Sequence, residues 1–233
     1  MIKTYPYEQL GRHKIDWLDA RYHFSFGDYY NPQRMEFGAL RVINDDIIRA
    51  GGGFGMHPHR DMEIITYVRR GAISHRDSLG NEGRTAAGDV QVMSAGTGVF
   101  HAEFNQEDED INLYQIWIYP RKKGVAPRWD MRQFPKEPVK DALPLLVSGR
   151  AGDEGKGALY IHADAAIYGG RLKAGVKLSH AVNGQAYTLV SEGRVEIDGV
   201  TLKKGDGAEI TDARAINITA LEDAEIVIIE VVT

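Results

Sequence analysis

Four residues in two short motifs have the types and the spacing that hold a metal ion. His57 and His59 flank a proline, and His101 and Glu103 flank an alanine. Because side chains alternate between the two faces of a β-strand, each pair would project from a single face. Two adjacent strands could then direct three imidazole nitrogens and one carboxylate oxygen to one point. This donor set suits divalent iron, nickel, manganese, copper or zinc.

The carboxylate of this predicted site has two candidates. Glu103 shares a strand face with His101, and Glu63 lies an even number of residues after His59, so it could face the same way in a regular strand. The residues alone leave both candidates open. For Glu63, support or replacement of a metal ligand and a plain surface charge are equally good interpretations.

Other polar residues near these motifs are interpreted structurally. His75 and Asp77 share a strand face, which predicts a salt bridge within a hairpin, because no exposed nucleophile on a strained turn accompanies them. His23 lies among aromatic residues and is expected to pack as a hydrogen-bonded core residue. Gln115 alternates with apolar residues, so it either faces a cavity or satisfies a buried neighbour.

The segments that must position these motifs have the pattern of short strands. Glycines bracket apolar runs of strand length, and few windows show the 3.6-residue period of a helix. Pro58 cannot donate a ladder hydrogen bond, so its strand is expected to begin there or to lie at a sheet edge. The predicted fold class is all-β, with two stacked barrels or double-sheet jelly rolls.

The two halves of the chain repeat one pattern of strand, glycine turn, strand and Gly-Asp turn, and most of the prolines cluster where the halves meet. We therefore predict an N-terminal domain at residues 1–130 that carries the metal site. A proline-rich connection follows at residues 131–145, and a C-terminal domain occupies residues 146–233.

The second domain is expected to lack metal ligands. When Gly71 is aligned with Gly193, the positions of His57 and His59 fall on serine and alanine. His180 misses by one residue, and a shift of one residue reverses the strand face. The role predicted for this domain is structural.

The composition excludes several classes of protein. The 233-residue chain is 43% hydrophobic, which is enough for two modest cores, and it contains no cysteine, which excludes disulfides and thiolate chemistry. A formal net charge of −5 argues against direct binding of nucleic acid. No apolar leader or membrane-length apolar run is evident, so we expect a cytoplasmic protein with no membrane association. Two packed halves would suffice as a monomer.

Several long blocks of the first half occur together in an order that resembles one family. The blocks are Trp17-Leu18, His23-Phe24-Ser25-Phe26-Gly27-Asp28-Tyr29-Tyr30, Leu40–Asp46, Gly53–Glu63, His75–Asn81 and Met93–Gly98. They resemble the pirin family, and the two motifs resemble the paired motifs of the cupin superfamily. The resemblance is dense from about Trp17 to Trp117 and thin beyond the proline-rich region.

The resemblance implies a bicupin fold and a mononuclear iron centre held by His57, His59, His101 and Glu103, which favours Glu103 over Glu63 as the carboxylate ligand. For bacterial members it also implies a quercetin 2,3-dioxygenase-like oxidoreductase, which cleaves flavonols such as quercetin with dioxygen. In that reaction Glu103 is the expected catalytic residue, because it could accept the proton of the substrate's 3-hydroxyl group.

Two alternatives stay open at the level of sequence. The resemblance also covers iron-binding regulatory proteins that act through a protein partner. Other cupin reactions on an enol or enolate substrate fit the same ligands, because fold and ligand set do not fix the reaction. In each case one divalent ion is expected, with Fe(II) favoured and Ni, Mn, Cu or Zn as alternatives. The partners expected for the enzyme are a flavonol-like small molecule and dioxygen.

Overall fold

The computed structural model describes residues 1–232, which form mostly antiparallel β-structure, so the predicted all-β class is confirmed. One turn of 3-10 helix spans Tyr7–Gln9. The strands in chain order are β1 (Ile2–Tyr5), β2 (Gly11–Lys14), β3 (Leu18–Tyr22), β4 (Leu40–Ile48), β5 (Gly53–His59), β6 (Glu63–Arg70), β7 (Ala72–Asp77), β8 (Glu82–Ala86), β9 (Val90–Ser94), β10 (Val99–Phe104), β11 (Ile111–Ile118), β12 (Arg128–Arg132), β13 (Leu145–Ser148), β14 (Leu159–Tyr160), β15 (Ala165–Leu172), β16 (Lys177–Ala181), β17 (Gln185–Glu192), β18 (Arg194–Ile197), β19 (Val200–Lys203), β20 (Gly207–Ile210), β21 (Ala215–Ala220) and β22 (Ala224–Val231).

The chain divides into two compact units. The N-terminal unit comprises residues 11–135 and 159–163, and the C-terminal unit comprises the other described residues. The domain boundaries expected from sequence, at 1–130, 131–145 and 146–233, stay a prediction. Within residues 1–232, no helix has the length and apolar character that crossing a membrane requires.

The N-terminal unit contains two antiparallel sheets. The larger has the strand order β12-β9-β6-β11-β4-β3-β2, and the smaller has the order β5-β10-β7-β8. Strand β6 lies inside the larger sheet and is buried up to Arg70, because its apolar and β-branched residues cover both faces. Strand β3, nearer the edge, alternates buried and half-buried residues, as burial of one face requires.

The C-terminal unit also contains two antiparallel sheets. One includes the strand order β1-β20-β17-β22-β15-β13, and the other has the order β16-β21-β18-β19. Strand β22 is buried along its whole length between β15 and β17. Ile2 pairs with Ile210, so the first residues of the chain belong to this unit.

Two apolar clusters of the N-terminal unit support the strands that carry the motifs. The first consists of Leu18, Ala20, Tyr22, Ile48, Val68, Ile73, Ile111 and Leu113. The second consists of Ile64, Met93, Ala95 and Val99. Burial of such side chains is the main favourable contribution to folding, at roughly 1.5–3 kcal/mol for each large residue.

Two features of β5 match what the sequence requires of it. The strand is the edge of its sheet, which confirms the prediction made from Pro58. At its start, a β-carbon on Gly53 would lie 2.4 Å from the carbonyl oxygen of Glu103. Only glycine permits this approach, so the glycine-rich segment lets β5 lie tightly against β10.

Candidate metal centre

Strands β5 and β10 place the two motifs side by side. They pair antiparallel, with His101 opposite His57 and Val99 opposite His59. Opposed residues of an antiparallel pair project from the same face, so the three histidines share a face. The pairing shifts between His101 and Glu103, where β5 has one extra residue, and this bulge brings Phe54 opposite Glu103.

The imidazole rings of the three histidines converge. Their centroids are 4.5 Å apart for His57 and His101, 4.8 Å for His57 and His59, and 4.9 Å for His59 and His101. One ring nitrogen from each lies within 4.8 Å of the others. The structure therefore brings together three of the four residues that were predicted as metal ligands from the motifs.

The protonation of these rings suits a divalent metal. Nδ1 of His57 lies 2.7 Å from the carbonyl oxygen of Gly55, so Nδ1 donates and Nε2 carries the free lone pair. Burial lowers the pKa of His59 to about 4 and that of His101 to about 2, with further lowering from neighbouring histidines. Neutral imidazole is the form that ligates metals.

His101 provides the clearest test of whether the site fits a metal. Its Nε2 is buried and has no hydrogen-bond partner among the described residues. A buried polar atom without a partner is costly, and a metal ion at this position would remove the cost. The residues present fit a divalent ion on this observation.

Glu103 lies at the same site but in a different group of potential ligands. Its carboxylate groups with His75 and His101, and it is absent from the group of three histidines. Burial raises the pKa of Glu103 to about 7, although hydrogen bonds from Gln115, Thr66 and Gln91 oppose that shift. A carboxyl group of this kind exchanges a proton near neutral pH.

A row of polar residues beneath Glu103 holds its carboxylate. Gln91 Nε2 donates to Oε1 at 2.7 Å, Thr66 Oγ1 donates to the same oxygen at 3.3 Å, and Gln115 Nε2 donates to Oε2 at 2.6 Å. Thr85 donates to Gln91 Oε1 at 2.9 Å, which fixes the orientation of the Gln91 amide. Both predicted roles of Gln115 are therefore combined, because it also lines the adjacent cavity.

Strand register explains why these polar side chains meet. Gln91 lies opposite Thr66, Thr66 lies opposite Gln115, and Gln115 lies opposite Asn44. Asn44 in turn lies opposite Tyr22 on β3. This polar row, Tyr22, Asn44, Gln115, Thr66 and Gln91, crosses five neighbouring strands of the larger sheet on one face.

A cavity of about 250 Å³ opens onto the three histidines and Glu103. Its other polar lining residues are Asn44, Asp46 and Gln115. Its remaining walls are formed by Leu18, Tyr22, Phe26, Phe54, Ile64 and Trp117. Largely apolar clefts with a few convergent polar groups are the usual form of small-molecule sites.

Glu63 is buried away from the histidine group. Its Oε2 accepts hydrogen bonds from Ser94 Oγ at 2.7 Å and from the backbone nitrogen of His162 at 3.1 Å. It belongs to neither group of potential ligands and does not line the cavity. The surface-charge interpretation is wrong, because the residue is fully buried where β6 pairs with β9 and β11.

The structure also places the three other polar features. Nε2 of His75 lies 3.2 Å from Oδ2 of Asp77, so the predicted partners meet, but burial lowers the pKa of His75 and the contact is a hydrogen bond instead of a salt bridge. The His75 ring stacks on Trp129. His23 is buried among core residues as expected, and its carbonyl oxygen accepts a hydrogen bond from Arg34 at 2.9 Å. Burial lowers the pKa of His23 to about 3.

Sequence reasoning missed two cavity residues on β4. Asn44 and Asp46 are buried polar residues at alternate positions of a strand that is otherwise mainly apolar. Burial raises the pKa of Asp46 well above its usual range, with further raising by Asp45 and Glu103. The signal in the sequence was a stretch of three polar residues, Asn44-Asp45-Asp46, inside a strand that is otherwise mainly apolar.

Comparison with known proteins identifies the family. The family described as Pirin matches residues 4–118, and the family described as Quercetinase C-terminal cupin domain matches residues 145–231. A Pirin-like protein of Caulobacter vibrioides is 50% identical over 232 residues, which covers 99% of each chain. The chain belongs to the pirin family. The bicupin expectation is thereby confirmed, because the pirin match and the cupin-domain match together cover both halves.

Relatives with named activities and solved structures cover the whole pirin chain. Quercetin 2,3-dioxygenase of Escherichia coli is 42% identical over 233 residues, or 99% of this chain and 98% of the relative. The structure of the bacterial pirin YhhW from Escherichia coli in complex with nickel(II) has a TM-score of 0.91 and 40% identity, over 99% of each chain. These relatives confirm the expectation of a quercetin 2,3-dioxygenase-like oxidoreductase.

Proposed function

We propose that this pirin is a metal-dependent dioxygenase that cleaves a flavonol such as quercetin with dioxygen. The observation that carries the proposal is the convergence of His57, His59 and His101 on a largely apolar cavity. The name of the Escherichia coli relative supports the choice of reaction. The nickel complex of the related YhhW supports a divalent ion in a chain of this fold.

The proposed ligands are His57, His59, His101 and Glu103, and the proposed ion is Fe(II), with Ni, Mn, Cu or Zn as alternatives. A divalent ion held there supplies Lewis acidity, which lowers the pKa of a coordinated hydroxyl group. Nε2 of His57 and Nε2 of His101 are the ring atoms left free for this role. Glu103 adds an oxygen ligand from the same strand as His101.

Glu103 is also the proposed proton acceptor for the substrate's 3-hydroxyl group. In the metal-free protein burial raises the pKa of Glu103 to about 7, and a bound divalent ion would lower both this pKa and the pKa of a coordinated phenol, which is about 10 when free. The amides of Gln91 and Gln115 hold both carboxylate oxygens in place. The transfer therefore needs no rearrangement of the acceptor before it occurs.

The cavity walls suit the flat aromatic rings of a flavonol. Phe26 and Trp117 meet edge to face, with ring centroids 5.4 Å apart, and Trp117 also contacts the His59 ring at 5.0 Å. The ring of Phe54 lies beside that of His57, with ring centroids 6.4 Å apart. Aromatic walls of this kind offer apolar faces and edges against which the rings of a flavonol would pack.

An anaerobic titration tests substrate binding separately from turnover. Quercetin is added to metal-loaded protein without dioxygen, and the flavonol absorption band reports deprotonation of its 3-hydroxyl group. We expect a saturable red shift that disappears in the His57→Ala/His101→Ala variant and persists in a His162→Ala control. No shift with wild-type protein that holds its metal would contradict the proposal.

A further inference from the structure

We propose that Asn44, Asp46 and Gln115 form a second recognition site within the cavity, which accepts hydroxyl groups of the substrate other than the one at the histidines. This inference rests on the proposed function and narrows its substrate class. The substrate would be a polyhydroxylated flavonol and not the bare 3-hydroxyflavone skeleton.

The observation behind the proposal is a set of three unsatisfied acceptor atoms. Oδ1 of Asn44, Oδ1 of Asp46 and Oε1 of Gln115 are buried and have no hydrogen-bond partner among the described residues. All three residues line the same cavity and are at most 7% exposed. Buried polar atoms in folded proteins are nearly always paired, so a cluster of three indicates a ligand that supplies donors.

The strand register places these residues on one patch. Asn44 and Asp46 share a face of β4, and Gln115 of β11 lies directly opposite Asn44. The side-chain nitrogen of Gln115 donates to Glu103 at 2.6 Å, so the side-chain oxygen is the atom left for a substrate. The patch therefore continues from the proton acceptor into the cavity.

No described neighbouring side chain pairs with the three acceptor atoms. Asp45, which lies between Asn44 and Asp46, accepts a hydrogen bond from Arg69 at 2.7 Å and another from Asn112 at 2.8 Å. Oδ1 of Asp46 has no such partner among residues 1–232. Burial raises the pKa of Tyr22 to about 12, with Asp46 contributing, so the phenol of Tyr22 stays neutral beside the patch.

A site built to bond a hydroxyl group discriminates strongly against an analogue that lacks it, because its own polar groups then stay unpaired. Hydroxyl groups are the donors that a flavonol offers, and a purely apolar ligand of the same shape would leave all three acceptors buried and unpaired. The patch therefore predicts selectivity by number and position of hydroxyl groups.

The experiment measures anaerobic dissociation constants of metal-loaded protein for 3-hydroxyflavone, galangin, kaempferol and quercetin. These flavonols carry hydroxyl groups first on the central ring only, then on the A ring, then on the B ring. We expect an improvement of about tenfold or more at the step that adds the contacted hydroxyl group. In Asp46→Leu this step disappears, whereas Asp46→Asn, which keeps an acceptor, retains part of it.

Ile47→Thr is the matched control, because Ile47 is the exposed neighbour on the same strand. It should keep the full step. The Tm tests whether Asp46 has only a structural role. Asp46→Leu removes an unpaired buried carboxyl group, so the Tm of the metal-free protein should rise. A lower Tm for Asp46→Leu would assign the carboxyl group to folding and overturn the proposal.

The outcomes distinguish failure of the second recognition site from failure of the proposed function. Equal affinities of wild-type protein for all four flavonols overturn the second recognition site and leave the proposed function standing. Failure of metal-loaded wild-type protein to bind any of them overturns both. A step that is present in wild type and Ile47→Thr and absent in Asp46→Leu supports the proposal.

Discussion

Nδ1 of His75 lies 3.5 Å from Nδ1 of His101, and both rings are buried. His75 is neutral, because burial lowers its pKa, and its Nε2 points at Oδ2 of Asp77, so Nε2 carries its single proton. Nδ1 of His75 must then accept from Nδ1 of His101. This chain of hydrogen bonds leaves Nε2 of His101 without a proton, which is the state a metal ligand requires.

The first prediction concerns the hydrogen bond between His75 and His101. His75→Phe keeps the stacking on Trp129 but removes the acceptor for His101 Nδ1. Loss of such an outer partner usually lowers metal affinity roughly 10–100-fold. The affinity for Ni²⁺, measured by chelator competition, should fall accordingly. The Tm of the metal-free protein should change less than for a substitution that also removes the stacking on Trp129. His162→Phe is the control, and equal affinities in both variants would refute the positioning role of His75.

The second prediction separates the two carboxylate candidates. Glu103→Gln should lower the metal affinity by more than the roughly 10–100-fold that follows loss of an outer hydrogen-bond partner, because it removes a proposed ligand. Glu63→Gln is the matched control, since Glu63 is equally buried but bonds Ser94 and the backbone of His162. Calorimetric titration with Ni²⁺ should show wild-type affinity for Glu63→Gln. The reverse order of effects would make Glu63 the ligand.

The third prediction is a metal-dependent gain in stability. A ligand that binds only the folded state adds about 2.7 kcal/mol at a free concentration of 100 Kd. Ni²⁺ should therefore raise the Tm of the wild-type protein in a concentration-dependent manner, and removal by chelator should reverse the shift. His101→Ala should show no shift, whereas His162→Ala should shift like wild type. A shift that survives in His101→Ala would place the ion elsewhere.

The fourth prediction concerns acid stability. Burial, with the charges of Arg34 and Arg69, holds the pKa of His23 near 3, below its unfolded value of 6.5. The stability contributed by neutral His23 is thus present above pH 6.5 and lost as pH falls toward 3. Between pH 7 and pH 5 this loss is about 2 kcal/mol.

His23→Gln should remove that component. Urea unfolding of both metal-free proteins at pH 7 and pH 5 gives the change in the free energy of unfolding between the two pH values. Any destabilisation by the substitution that does not depend on pH cancels in this difference. The contributions of His59 and His101 are common to both proteins and cancel as well. The variant should lose about 2 kcal/mol less than wild type over this interval, and parallel pH curves would show that His23 does not titrate as described.

The histidine motifs were predictable from sequence because their information is local. Alternation within β5 and β10 sets which face His57, His59 and His101 share. Pro58 restricted β5 to a start at that residue or to a sheet edge, and the structure has the edge. The pairing of His75 with Asp77 follows from the same period of two.

The partners of Glu103 were not predictable, because they depend on register between strands far apart in sequence. Gln91, Thr66 and Gln115 reach the carboxylate from three strands of the other sheet. The position of Phe54 depends on a bulge in β5, for which the sequence offered only glycines. The membership of Ile2 in the C-terminal unit depends on its pairing with Ile210, which no local pattern specifies.

The proposed dioxygenase reaction on a flavonol requires the histidine site. The most direct measurement is dioxygen uptake by protein reconstituted anaerobically with Fe(II), after quercetin and dioxygen are supplied, with His57→Ala/His101→Ala protein as the control. We expect quercetin-dependent uptake by the wild-type protein and none by the variant. Absence of uptake by wild-type protein that demonstrably holds its metal, or equal uptake by the variant, would contradict the proposal.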